Sequence, residues 1–131
     1  IGYVTSFSSG CLYCQAHTIL GAERFGSTKE RLEQVWNYSD SSVFSKAEKA
    51  ALDFAFAAAS VPNGVTEKEV SQLKNYWDTN DIVEIMGVIA LFGFLNRWND
   101  SMGSALEDLP IEKGEEYLKE STNWVPGKHG V

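Results

Sequence analysis

The chain has 131 residues, enough for one domain that buries a core without the disulfide or metal staples needed mainly below about 40 residues. Hydrophobic residues make up 44% and charged residues 22%, which is ordinary globular usage and excludes a disordered or fibrous chain. The net charge of −7 disfavours nucleic acid as a partner, because affinity for a phosphate backbone rests on lysine and arginine.

Two helical patterns open the chain. Residues 1–7 look like the last turns of a helix, and the apolar pattern is already under way at Ile1, so we expect a segment upstream of it. Small polar residues and a glycine, Ser8 to Gly10, favour a cap and a change of direction. The next helix is predicted from Cys11 to about Phe25, with Gly26 closing it.

Three further helices are predicted from capping boxes, in which a Ser or Thr side chain caps the backbone and a Glu three residues later bonds back. The boxes pair Ser27 with Glu30, Ser45 with Glu48, and Thr66 with Glu69. The helices that they begin are predicted over Thr28–Tyr38, Lys46–Ser60 and Glu67–Trp77.

The longest helix is predicted from Ile82 to about Met102. Its middle is apolar on all sides, which indicates a buried central helix. The uninterrupted apolar run, Ile85 to Leu95, is shorter than the roughly 20 residues that span a bilayer, so we expect no membrane partner.

The pattern weakens after Gly103. Pro110 can open a short helix to about Lys119, and we expect Ser121 to Val131 to be irregular. Because no stretch alternates like a strand, the sequence predicts an all-α bundle. We expect a single domain over 1–131, with a helical core of about 1–103 and a weakly patterned tail at 104–131.

Both cysteines of the chain, Cys11 and Cys14, lie at the predicted start of a helix, with His17 three residues further on the same side. A helix start or a neighbouring histidine can lower a thiol pKa well below its usual value of about 8.5. The helix dipole favours Cys11 as the nucleophile, whereas His17 favours Cys14, so these residues alone leave the choice open.

A thiol pair of this kind suits two-electron redox chemistry, in which one thiolate attacks and the other closes a disulfide. A zinc site is an alternative, but its fourth ligand would have to be His129 in the tail, so we expect no metal and no cofactor. Two buried, inert thiols are the other alternative.

The stretches Ser9 to Thr18 and Asp81 to Asp100 resemble the carboxymuconolactone decarboxylase and alkylhydroperoxidase AhpD-like family, nearer to its peroxidase-related members. The resemblance implies an AhpD-like helical bundle that here lacks the first helix or helices of the family, and a homo-oligomer, a trimer or hexamer. It also implies that Cys14 is the peroxidatic residue, Cys11 the resolving residue and His17 the relay base.

In the AhpD-like members a glutamate on the helix before the cysteines acts through the histidine, and its counterpart here would precede Ile1. Glu84, an acid on an otherwise apolar helix, is the best substitute. Tyr13, between the two cysteines, could donate a hydrogen bond to the site.

The predicted function is that of a thiol-dependent peroxidase or disulfide oxidoreductase. We expect its substrate to be a hydroperoxide or a disulfide, its reductant a thiol or dithiol, and its location the cytoplasm, where a Cys-x-x-Cys pair stays reduced. A carboxymuconolactone decarboxylase-type enzyme is one alternative, although it requires no cysteine pair. A non-enzymatic helical oligomerisation module with structural cysteines is the other.

Overall fold

A computed structural model describes residues 1–130, and every regular element in that range is a helix, which confirms the predicted all-α class. Its α-helices, in chain order, are α1 (Gly2–Ser8), α2 (Leu12–Arg24), α3 (Lys29–Gln34), α4 (Lys46–Ala59), α5 (Glu67–Lys74), α6 (Thr79–Met102) and α7 (Asp108–Thr122). Two short 3-10 helices, Val35–Asn37 and Gly127–His129, complete the order.

Local capping chemistry determines where most of these helices begin. Reciprocal capping boxes are present at Ser45 with Glu48, Thr66 with Glu69, and Asp78 with Asp81. The first two confirm the predicted boxes, and the third begins the longest helix at Thr79, three residues before the predicted start.

The predicted box of Ser27 with Glu30 is wrong. The Ser27 backbone N–H donates to the carbonyl oxygen of Ala22 at 2.9 Å, so this residue belongs to the exit of α2. Thr28 caps α3 instead, its hydroxyl accepting from the backbone N–H of Arg31.

The helices enclose one hydrophobic core, to which α1 is central. α1 packs against α2, α4 and α6, while α2 lies between α1, α6 and α7. The largest fully buried core side chains include Val4, Ile19, Leu73 and Leu118. The loop between α1 and α2, where the cysteines begin, is therefore held on several sides.

The prediction that the longest helix is buried all round is wrong. Only Ile85, Ile89 and Asn96 of α6 are buried. Its exposed large apolar residues are Val83, Met86, Val88, Leu91, Phe94, Trp98 and Met102. The 24-residue α6 is also long and apolar enough to cross a membrane, a property it shares with core helices of soluble proteins.

The segment after Gly103 is more regular than predicted. Gly103 ends α6 in the left-handed conformation, at φ 61°, and α7 then runs from Asp108 to Thr122, longer at both ends than expected. Beyond α7, in the stretch predicted to be irregular, Trp124 and His129 are almost completely buried. Val131, the last residue of the predicted tail, lies outside the described residues.

Trp124 explains why this segment docks. Gly114 in α7 provides the space for the indole, since a Cβ built there would lie 2.6 Å from its ring. The indole N–H donates to the carbonyl oxygen of Leu12 at 3.2 Å. A glycine and an aromatic residue ten positions apart thus fix the C-terminal segment over the first turn of α2.

Candidate active site

The chain turns sharply between α1 and α2, and this turn places Cys11 at the start of α2. Gly10 adopts φ 75°, a conformation that favours glycine. Cys11 follows in extended backbone as the N-cap, and its sulfur accepts a hydrogen bond from the backbone N–H of Cys14 at 3.3 Å. A cysteine sulfur here does the work usually done by a Ser or Asp oxygen.

The two thiols are free, and they differ in acidity. The pKa of Cys11 is lowered, first because its sulfur accepts from the Cys14 thiol and also because it accepts backbone N–H groups. The pKa of Cys14 is raised, because its thiol donates to Cys11 and because it is buried. In the reduced pair the first negative charge therefore rests on Cys11.

This order corrects the expectation that His17 makes Cys14 easily ionised. The His17 Nε2 atom lies 3.0 Å from a carboxylate oxygen of Glu107, the N-cap residue of α7. Through this nitrogen the imidazole is thus engaged with an acid. The position of Cys11 at the start of α2 favours ionisation of this thiol first, as the helix-dipole argument alone predicts.

Access to the two sulfurs also differs, in the opposite sense. Cys11 is fully buried, whereas Cys14 is 3% exposed and lines a cavity of about 560 Å³. The cavity is walled by Tyr13, Cys14, His17, Phe92, Phe94, Leu95, Trp98 and Asn99. A substrate in this cavity would meet Cys14 first, among mostly aromatic and aliphatic side chains.

Asn99 of α6 supports Cys14 from the opposite wall. Its amide nitrogen lies 3.8 Å from the Cys14 sulfur and donates to the carbonyl oxygen of Leu95 at 3.0 Å. Its amide oxygen accepts from the hydroxyl of Ser104 at 2.8 Å. The amide is therefore fixed, and its N–H group lowers the cost of negative charge on Cys14.

Tyr13 lies between the two histidines of the chain. Its ring centroid is 4.4 Å from that of His17 and 5.7 Å from that of His129. The side chain therefore forms part of the site as a spacer between two imidazoles.

Glu84 does not belong to this site, contrary to the expectation that it substitutes for a relay acid. It is exposed on α6, and the 15 residues that separate it from Asn99 correspond to about 22 Å of helix. Glu107 is the acid that meets His17. The sequence offers one local signal for it, an acidic residue just before the start of α7.

A second acid and imidazole lie on the buried side of the pair. The donor atoms of Cys11, Asp100 and His129 all lie within 4.8 Å of one another. His129 Nε2 lies 3.5 Å from Asp100 Oδ1, and His129 Nδ1 lies 2.8 Å from the carbonyl oxygen of Ser104. Three donor groups fall short of the four ligands of a closed zinc site, and Asp100 is already paired with Lys128 at 2.9 Å.

Fold and site together define an all-helical domain with two free cysteines at a helix start, flanked by two histidine–carboxylate pairs. No family model matches the chain. The chain is 31% identical over 103 residues to the uncharacterized protein YnjA of Escherichia coli (strain K12), and the match covers 78% of this chain.

Two crystal structures are similar to this domain, those of the debrominase Bmp8 in its apo form and of a cysteine-to-alanine variant of Bmp8 in complex with 2,3,4-tribromopyrrole. The TM-score is 0.85 for both, at 32% and 31% identity, over 88% of this chain. The chain spans about half of YnjA, 53%, and 62% of the Bmp8 chain.

Proposed function

We propose that this domain is a cysteine-dependent oxidoreductase of the AhpD-like type, in which Cys11 and Cys14 together deliver two electrons to a hydroperoxide or a disulfide. The observation that carries the proposal is the thiol pair itself, two free cysteines in the first turn of a helix, of which Cys14 lines a cavity. The similarity to an enzyme structure, Bmp8, supports an enzymatic role over an inert cysteine pair.

Cys14 is the residue that attacks in this proposal, because its sulfur borders the cavity whereas that of Cys11 is buried. The S–H proton of Cys14 passes to the Cys11 thiolate as the Cys14 sulfur bonds to the terminal peroxide oxygen. The O–O bond breaks, and the electron pair leaves on the alkoxide, which takes up a proton to become the alcohol. Cys14 is thereby oxidised to a sulfenic acid.

Cys11 then resolves the intermediate. Its thiolate attacks the Cys14 sulfur, the S–S bond forms, the S–O bond breaks, and the leaving hydroxide is protonated to water. With a disulfide substrate the same two sulfurs act by thiol–disulfide exchange. A thiol or dithiol reductant reopens the Cys11–Cys14 bond in either case, and the chemistry requires no bound cofactor.

His17 supplies the proton to the leaving group. It lines the same cavity as Cys14, and its ion pair with Glu107 at 3.0 Å orients the ring. A positioned imidazole is the usual acid–base group near neutral pH. The pair therefore replaces the glutamate and histidine relay that the family resemblance implies.

Reductive dehalogenation of an aromatic ring is a second candidate, favoured by the similarity to Bmp8. The Cys14 sulfur would attack the halogen, the carbon would keep the bonding pair and take a proton, and Cys11 would displace halide as the disulfide forms. The aromatic walls of the cavity, Phe92, Phe94 and Trp98, suit such a ring as well as an apolar hydroperoxide.

We also propose that the protein is a homo-oligomer in the cytoplasm. Seven large apolar side chains on one exposed helix exceed what a monomer usually leaves in water. A second copy of the chain would cover this face, and a trimer or hexamer matches the family resemblance.

The function is tested by following both substrates and thiols. The parent protein, given a dithiol, is expected to consume hydroperoxide, lose two thiols per equivalent of oxidant, and regain them on reduction. C14S should abolish turnover, whereas C11S should stop after one equivalent with a sulfenic acid on Cys14, detected by mass spectrometry.

The matched control is the C11S, C14S double variant. Equal peroxide consumption by the parent and this control would overturn the enzyme assignment. Bromide release from a bromopyrrole by the parent, with inert hydroperoxide and disulfide, would instead assign the dehalogenase reaction to the same two sulfurs.

A further inference from the structure

His129 has a defined tautomer. Its Nδ1 atom lies 2.8 Å from the carbonyl oxygen of Ser104, which only accepts, so the proton is on Nδ1. In the neutral ring the Nε2 atom then carries the lone pair. This atom is buried and has no hydrogen-bond partner, in a side chain that is 1% exposed.

Such a lone pair is costly unless a proton donor comes to it. A ring nitrogen of His129, the Asp100 carboxylate and the Cys11 sulfur lie within 4.8 Å of one another, and Nε2 lies 3.5 Å from Asp100 Oδ1. The carboxylate is an acceptor that is already paired with Lys128 at 2.9 Å. The Cys11 thiol is therefore the group near Nε2 that has an acidic proton.

We propose that His129 is the acid–base partner of Cys11, with Asp100 orienting and stabilising its imidazolium. In this step the S–H bond of Cys11 breaks, its proton moves to Nε2, and a thiolate faces an imidazolium whose charge Asp100 balances. The inference deepens the proposed function, because it gives the proton of the thiol pair an exit on the side away from the cavity.

The route has a defined order. Nε2 takes the Cys11 proton, and a proton that leaves Cys14 then passes to the Cys11 thiolate, whose sulfur already accepts from the Cys14 backbone N–H at 3.3 Å. Cys14 is thereby freed to attack while its substrate approaches from the opposite side. When Cys11 resolves the oxidised Cys14, its proton leaves with the hydroxide as water, and the imidazolium of His129 stabilises the Cys11 thiolate.

The charged surroundings of Cys11 come from several elements. Asp100 of α6 disfavours a thiolate by charge repulsion, and Lys128 of the C-terminal segment offsets it through its 2.9 Å ion pair with that carboxylate. His17 and Glu107 lie across the Tyr13 ring, and Cys14 adjoins on α2. Protonated His129 would add a positive charge beside Cys11, so the surrounding charges would then favour the Cys11 thiolate.

The experiment measures the ionisation of Cys11 without any substrate, so its result does not depend on the proposed enzymatic reaction. In a C14S background the serine hydroxyl still donates to Cys11, and the ultraviolet absorbance of the Cys11 thiolate is titrated against pH. H129N preserves the N–H donor to Ser104 and removes Nε2. We expect the apparent pKa of Cys11 to rise by about one unit or more.

D100N provides a second readout if H129N folds poorly, which circular dichroism would reveal. If Asp100 stabilises the imidazolium, removing its charge should also raise the apparent pKa of Cys11, whereas loss of charge repulsion alone would lower it and so contradict this role. H17N, on the far side of Tyr13, is the matched control and should leave the curve in place. An unchanged curve in folded H129N, or an equal rise in H17N, would overturn the proposal.

Discussion

The indole N–H of Trp124 donates a hydrogen bond to the carbonyl oxygen of Leu12, 3.2 Å away, and so joins the C-terminal segment to the first turn of the cysteine helix. Leu12 directly follows Cys11, and Trp124 precedes His129 by five residues. The position of the imidazole behind Cys11 thus depends on the docking of this indole. Packing far along the chain controls the geometry at the sulfurs.

The substitution G114A should loosen this docking. A Cβ at position 114 would lie 2.6 Å from the buried Trp124 ring, so the indole must shift, and overpacking of this kind costs about 1 to 3 kcal/mol. Urea denaturation followed by tryptophan fluorescence measures the loss of unfolding free energy.

G21A is the control for helix propensity. A Cβ at position 21 of α2 meets nothing within 4 Å, so alanine should be neutral or stabilise by up to about 1 kcal/mol. Equal effects of the two substitutions would show that the Trp124 contact is not responsible.

Glu48 should stabilise the fold in a pH-dependent way. Its pKa is lowered, first by the hydrogen bond from Arg31 at 2.6 Å and also by the backbone N–H of Ser45. A lowered pKa means that this stabilisation is present above the unfolded-state value, near 4.5, and is lost as the pH falls through the folded value. E48Q should therefore destabilise at pH 7 by about 1 kcal/mol or less, because the pair is one-third exposed.

The measurement is the difference in unfolding free energy between the parent and E48Q at neutral and acidic pH. E33Q serves as a control, because the Lys29–Glu33 pair is a surface pair at 3.6 Å and should contribute little. A difference for E48Q that persisted well below pH 4.5 would contradict the assignment of the effect to ionised Glu48.

His17 is expected to affect the chemical step. H17N should lower kcat/KM for hydroperoxide by about 10²-fold or more, the usual contribution of a positioned acid–base group. E107Q, which keeps a hydrogen-bonding side chain beside the ring but removes the charge, should have a smaller effect. Steady-state kinetics over a range of pH measures both.

The C11S variant separates this role from a structural one. Its single-turnover oxidation of Cys14 should also slow when His17 is replaced, since the imidazole acts on the leaving group and not on Cys11. An unaltered rate in folded H17N would remove His17 from the mechanism.

The exposed face of α6 should hold copies of the chain together. L91E and F94E place a carboxylate where apolar contact is expected, so light scattering should show a parent oligomer and smaller species for both variants. E84Q, on the same exposed helix, is a control for general surface change. A parent protein that is a monodisperse monomer would contradict the homo-oligomer. So would a parent protein that binds lipid vesicles and does not self-associate.

Local signals in the sequence explain what could be predicted. A capping box involves residues three apart, and a Cys-x-x-Cys pair at a helix start requires only the first turn of that helix. The helical class, the boxes at Ser45 and Thr66, and the placement of both cysteines depend on such short-range physics. The wrong prediction at Ser27 also has a local cause. Ser27 and Thr28 can each cap a helix, and the backbone of Ser27 is already bonded at the end of α2.

The acid–base partners could not be found in this way. Glu107 meets His17 across 90 residues of chain, and Asp100 and His129 reach Cys11 from α6 and from the C-terminal segment. Hydrophobic periodicity carries no information about contacts between residues so far apart in the chain. The hydrophobic pattern after Gly103 is weak, although the segment is well packed. Its docking depends on one glycine and one indole, and a helical periodicity does not reveal such a pair.

The apolar helix α6 shows a different limit. A helix that is apolar on all sides is predicted to be buried on all sides. The pattern does not indicate which neighbour covers each side. Within residues 1–130, other helices cover only one of them. The prediction of a buried helix therefore assumed that this chain covers the apolar face of α6. We now propose that a second copy of the chain covers it.

The sulfur of Cys11 is both the cap that begins α2 and an atom that must change its bonding partner whenever the thiol pair is oxidised. Electron transfer and the order of the first helical turn are therefore thermodynamically linked, and each can be read through the other. Amide hydrogen exchange at the backbone of Cys14 would report the redox state of the pair, even in the absence of any substrate.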